Sequence, residues 1–174
     1  MEHEDGIFKI DIPNEAPLII DLREVYALEA RKAEIVSVSK INGGSLLRAM
    51  EDGYQQTGNL LAMVAYKLTE VELALKRRKA FIMLDVIPQV IQDRKLGTAR
   101  TPNGAADIRA SIIATDVELQ QLENCEAQLT AMKAKLKVKV DGFQMTYSGV
   151  KRVIDEKSGS TGGFGYTPPS TTKY

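Results

Sequence analysis

The stretch that decides the fold is Ala105–Asp155, AADIRASIIATDVELQQLENCEAQLTAMKAKLKVKVDGFQMTYSGVKRVID. Along it Ile108, Ile112, Thr115, Leu119, Leu122, Cys125, Leu129, Met132, Leu136, Val140, Phe143, Tyr147, Val150 and Ile154 recur at steps of three and four. Sustained over many turns, that spacing is the signature of a helix packed along a seam. Lys133–Val140 (KAKLKVKV) alternates as a strand would, but the heptads on either side decide for helix.

Upstream, residues 94–104 (RKLGTARTPNG) read as a basic connection rich in helix breakers. Before it a first long helix is predicted from Leu46, with Ser45 as its cap. Its stripe is Leu47, Met50, Tyr54, Leu61, Val64, Leu68, Val71, Leu75 and Ile82. Gly53 and Gly58 weaken it by roughly 1 kcal/mol each relative to Ala, and Pro88 kinks or ends it. The fold class is therefore mainly α, a long two-helix antiparallel hairpin. Each helix also carries apolar residues off the shared seam, such as Leu60, Met63, Phe81 and Met83. These call for partner copies, so a homo-oligomer is expected.

Residues 1–20, interrupted by Pro13 and Pro17, read as an extended N-terminal arm. Asp21 with Glu24 three positions on has the form of a capping box, opening a short helix from Leu22 to about Ala33. The β-branched run Glu34–Ile41 (EIVSVSKI) reads as extended, closed by the turn signal Asn42-Gly43-Gly44. Residues 21–157 form the helical hairpin domain, and 158–174 read as a flexible Gly/Ser/Thr/Pro-rich tail.

Composition narrows the function. The 23 basic and 23 acidic residues cancel, yet residues 1–52 hold 6 Lys/Arg against 11 Asp/Glu and residues 53–174 hold 17 against 12. That polarity suits an anionic partner or head-to-tail pairing of copies. One cysteine, Cys125, allows no internal disulfide and suggests a reducing compartment. The acidic start lacks the pattern of a signal peptide, and no apolar run reaches the ~18 residues of a membrane helix, so a cytoplasmic protein without a membrane role is expected. With one His and one Cys, a single chain cannot assemble a transition-metal cluster or a Cys/His nucleophile pair. No phosphate-cradling glycine motif is present. The acid pairs Asp116/Glu118 and Glu123/Glu126 read as a solvated helix face. The expectation is a non-enzymatic protein with no cofactor.

The basic residues are the better lead. Lys76-Arg77-Arg78-Lys79 is four consecutive cations, and Arg94, Lys95, Arg100 and Arg109 crowd the connection. Residues 76–109 carry 8 basic against 3 acidic residues. In a hairpin, all eight would gather at one end and offer phosphates a multivalent, salt-sensitive site; the alternative is a solvated face of ordinary ion pairs. Phe81 adjoins the quartet but reads as a core residue. Lys133, Lys135, Lys137 and Lys139 split over two helix faces, as flanks of a buried seam whose stems cover apolar surface.

The order of elements resembles the recombination mediator proteins of T-even-like bacteriophages. The residues carrying the resemblance are Tyr54-Gln-Gln-Thr-Gly-Asn59, the quartet Lys76–Lys79, Lys95-Leu-Gly97, Asp107–Asp116, Phe143 and Val150-Lys-Arg-Val-Ile154. They match as a pattern of types over residues 22–155, while Pro88 and the Gly-rich tail depart from it. The resemblance implies a ring-like homo-oligomer that binds single-stranded DNA and helps load a recombinase onto strands coated by single-strand-binding protein. It also implies phosphate contacts for Lys76, Arg77, Arg78, Lys79, Arg94, Lys95, Arg100 and Arg109. A structural or assembly protein, such as a virion or scaffold component with no nucleic-acid role, would share the same fold.

Overall fold

Alternation begins at the N-terminus, where Phe8, Ile10 and Ile12 are buried and the residues between them are not. A period of two is what a half-covered strand requires. The computed structural model describes residues 2–4, 6–39, 41–97 and 104–159, with side chains over 6–39, 41–97 and 104–156. Strands β1 (Glu2–Glu4), β2 (Ile7–Ile10) and β3 (Leu18–Asp21) form an antiparallel sheet in that order, with Phe8 opposite Ile20 and Ile10 opposite Leu18. Pro13 and Pro17 fall in the β2–β3 connection, where their missing N–H groups interrupt no ladder. The residues read as an extended arm are thus paired strands.

Helix α1 (Arg23–Ala30) follows directly. Its N-cap position is Leu22 rather than Asp21, and no side chain caps it. The Asp21 carboxylate instead accepts the Arg23 backbone N–H at 3.0 Å and the Arg23 guanidinium. Those bonds draw its pKa down to about 2. Residues 34–37, read as extended, belong to a 3₁₀ segment, Arg31–Ser37. Among the described residues the Val/Ile run has no neighbouring strand to pair with, and β-propensity is largely a preference for such neighbours. The Arg31–Glu34 ion pair at i,i+3 supports the tighter winding.

Helix α2 (Gly43–Phe81) has 39 residues and α5 (Val117–Gly159) has 43, about 60 Å each at 1.5 Å per residue. Asn42 takes the N-cap position of α2, and Ser45 lies inside the helix. Leu46, Met50, Gly53, Thr57, Val64, Leu68, Val71 and Leu75 form the buried face. Over its first turns the stripe is therefore offset from Leu47 and Tyr54, and Tyr54 is exposed. The offset follows from size: a Cβ at Gly53 would overlap the Phe143 ring. One at Gly43 would come within 2.6 Å of Ile154. With Gly43 against Ile154, Gly53 against Phe143 and Arg78 against Asp116, α2 and α5 run antiparallel. Thr57, buried beside this contact, donates its hydroxyl to the Gly53 carbonyl at 2.6 Å.

Between the long helices the chain does more than bend. A π turn (Ile82–Val86) carries α2 into α3 (Ile87–Asp93), with Ile87 N–H donating to Ile82 O. Pro88 has no N–H to give to the preceding turn, and widening that turn keeps the helix continuous instead of ending it. Helix α4 (Ala106–Ala114) ends at Thr115, so the second long helix begins at Val117 rather than Ala105. Asp116 is the cause: its carboxylate accepts the Leu119 N–H at 2.8 Å, an N-cap bond that fixes where α5 starts.

The sheet and α1 lie over the α2–α5 pair. Glu15 pairs with Lys67 at 3.0 Å, the Lys135 ammonium sits 4.1 Å from the centre of the Phe8 ring, and Lys139 pairs with Glu29 and lies over Tyr26. Lys32 stands 4.2 Å above Phe143. Leu60 and Met63, expected to seek another subunit, pack against this same core, whereas Phe81 and Met83 stay exposed. Among the described residues no helix is long and apolar enough to cross a membrane. The expected tail lies outside the described residues from 160 onward.

Candidate nucleic-acid interface

The four cations of the quartet have different surroundings. Arg78 turns toward α5, where its Nε and Nη2 donate to the two Asp116 oxygens at 3.0 and 2.6 Å. Its Nη1 reaches Glu118 at 2.7 Å. This fork-to-fork geometry is the strong form of the Arg–carboxylate pair. The Arg78 hydrogen bonds hold the Asp116 carboxyl below its ordinary value against a smaller opposing effect of burial. Lys79 pairs with Glu123 at 3.0 Å. Asp116, Glu118 and Glu123, read as a solvated face, therefore clamp the two long helices together.

Lys76 and Arg77 are exposed and make no ion pair among the described residues. Arg77 lines an open cleft of about 320 Å³ with Pro13, Asn14, Ala74, Arg78, Phe81, Glu118 and Leu122. Phe81 is not a core residue: it is 47% exposed, with the Arg78 guanidinium carbon 5.3 Å from its ring centre. The cleft wall from Pro13 and Asn14 belongs to the β2–β3 connection, which charge counting along the helices does not bring to view. The one signal available was the position of Phe81, one turn beyond Arg77.

The cations at the end of α3 stand apart from these. Arg94 and Lys95 are exposed at the end of α3. They lie about 27 Å further along the continuous helix than Lys76 at 1.5 Å per residue. Arg109 is exposed on α4, and Arg100 lies outside the described residues. Of the expected eight, Arg78 and Lys79 are ion-paired, Lys76 and Arg77 stand open beside a cleft, and Arg94 and Lys95 lie beyond the π turn. Of the second lysine group, Lys135 and Lys139 cover Phe8 and Tyr26 as their stems suggested, and Lys133 and Lys137 are exposed. Cys125 is buried in the seam, and burial raises its thiol pKa. No family model, curated protein or solved structure matches the chain.

Proposed function

We propose that this protein is an oligomeric single-stranded DNA-binding recombination mediator, acting in phage recombination, replication and repair in the host cytoplasm. It would work by binding and remodelling rather than by bond chemistry, helping a recombinase onto strands held by single-strand-binding protein. The observation that carries the reading is the cleft: a half-exposed Phe81 stands beside Arg77, which has no ion pair among the described residues, with Lys76 adjacent. Aromatic faces accept any base by stacking, worth about 1–3 kcal/mol per base, while cations track the backbone. Arg94, Lys95 and Arg109 would extend the phosphate path, and Arg78 would hold the ring of Phe81 from its anchored position.

Fluorescence anisotropy with a labelled single-stranded oligonucleotide tests this. Binding should weaken steeply with salt, and Lys76→Ala with Arg77→Ala should reduce both affinity and salt slope. Phe81→Ala should lower affinity about tenfold or more at unchanged slope, because stacking is not ionic. Absence of binding at low salt would end the reading. A second reading, a helical assembly protein with no nucleic-acid role, is favoured by the pairing of Arg78 and Lys79 to acids within the chain.

A further inference from the structure

Both long helices have an apolar side that the fold leaves bare. On α2, Tyr66 and Leu73 are seven residues apart and 65% and 47% exposed. Ala80 follows at the same interval and Leu84 one turn later, both exposed. Tyr66 and Leu73 each lie two residues from a buried seam position, Val64 and Val71, which is about 200° around the helix. On α5, Ala131, Val138 and Met145 repeat at seven, with Val138 and Met145 71% and 75% exposed. Val138 and Met145 stand likewise two residues beyond the buried Leu136 and Phe143. A helix that is apolar on two opposite sides needs cover on both, and among the described residues these outer positions have none.

The charges beside these stripes identify the second partner. Along α2, Glu72 precedes Lys76; along α5, Glu126 precedes Lys133 and Lys137. Acid comes before base in both, so antiparallel apposition sets opposite signs together and parallel apposition sets like against like. The chain already uses this rule internally, in Arg78 with Asp116 and Glu118 and Lys79 with Glu123. Glu72, Lys76, Glu126, Lys133 and Lys137 have no ion pair among the described residues. Size agrees with charge, because the bulky α2 stripe faces a partner stripe containing Ala127, Ala131 and Ala134.

We propose that the bare face of α2 in one copy docks antiparallel against the bare face of α5 in the next, a head-to-tail contact that covers both faces at once. This deepens the proposed function, whose oligomer it specifies. A contact between unlike faces closes into a ring or runs into a filament, according to the rotation per copy. Lys76 then stands at the edge of the contact, and Arg77 stays in the cleft with Phe81.

Complementation by sizing tests the arrangement. Leu73→Asp spoils the α2 face and Val138→Asp the α5 face; both side chains are exposed, so circular dichroism should show parental helicity. Each variant alone should run as a monomer at micromolar concentration. An equimolar mixture should form dimers and nothing larger, because one intact face remains on each. The proposal is overturned if the parent is itself a monomer, if either variant assembles as the parent does, or if the mixture stays monomeric. Assembly of Val138→Asp alone would indicate α2 pairing with α2. Anisotropy on the Leu73→Asp monomer separates the two readings: retained DNA binding there leaves the cleft intact whatever the sizing shows.

Discussion

The two ends of the α2–α5 pair are held by opposite means. At one end Gly53 lets the Phe143 ring sit against the α2 backbone, fully buried, with Lys32 above the ring and Thr57 bonded back to Gly53. At the other, Arg78 forks onto Asp116 and reaches Glu118, and Lys79 meets Glu123. The first contact is apolar and geometric, so it responds to volume. The second is ionic and half exposed, so it responds to pH and salt. The molecule thus places its rigid joint away from the cleft and its adjustable joint beside it.

The contrast can be broken most severely at the apolar end. Phe143→Ala should cost about 3–5 kcal/mol, as for other buried aromatic truncations, read as a fall in the midpoint of urea unfolding. At the ionic end, Asp116→Asn should cost about 2 kcal/mol near neutral pH, since it loses charge-assisted bonds and weakens the α5 cap. Asp116 has its folded pKa below the ordinary 3.8. Its contribution is therefore fully present above the unfolded value and disappears as pH falls through the folded one. Unfolding midpoints of parent and Asp116→Asn should accordingly draw together as pH falls below the ordinary 3.8 and meet once it is below the folded pKa, and a gap that persists there would show that the carboxylate charge is not what matters. Phe143→Ala should show no such convergence.

A finer test uses two glycines of one helix. Gly53→Ala forces a Cβ into the Phe143 ring, an overpacking of about 1–3 kcal/mol that outweighs the ~1 kcal/mol gain in helix propensity. Gly58 has nothing within 4 Å of the place a Cβ would take. Gly58→Ala should stabilise by up to ~1 kcal/mol. Thermal melts of the two variants should move in opposite directions, and parallel shifts would remove Gly53 from its assigned role.

Helix content and the α5 seam were legible because period and residue type agree over many turns: Leu119, Leu122, Cys125, Leu129, Met132 and Leu136 are all buried as spaced. What escaped depended on partners distant in sequence. Phe8, Ile10 and Ile12 alternate cleanly, yet nothing local says that Leu18 and Ile20 lie opposite, and two prolines stand between them. The break at Asp116 shows only once Arg78 and the Leu119 N–H are beside it. In the cleft, the quartet was visible as charge, but which cations stay open was decided by acids 38 to 44 residues away, as in Arg78 with Asp116 and Lys79 with Glu123.

The π turn has a consequence for descent. Along α2 and α3 the buried positions step from Leu75 through Ile82 to Ile87 and Ile91, and the step of five between Ile82 and Ile87 is one residue longer than an α-helix would use. A single-residue insertion into an older, uniform helix produces that signature, with the added residue swelling one turn instead of rotating everything after it. Kin of this chain should thus divide into two length classes at this point. The shorter class would align cleanly on both sides only when a gap is opened between Ile82 and Ile87, and an ungapped alignment would turn the face bearing Arg94 and Lys95 by about 100°.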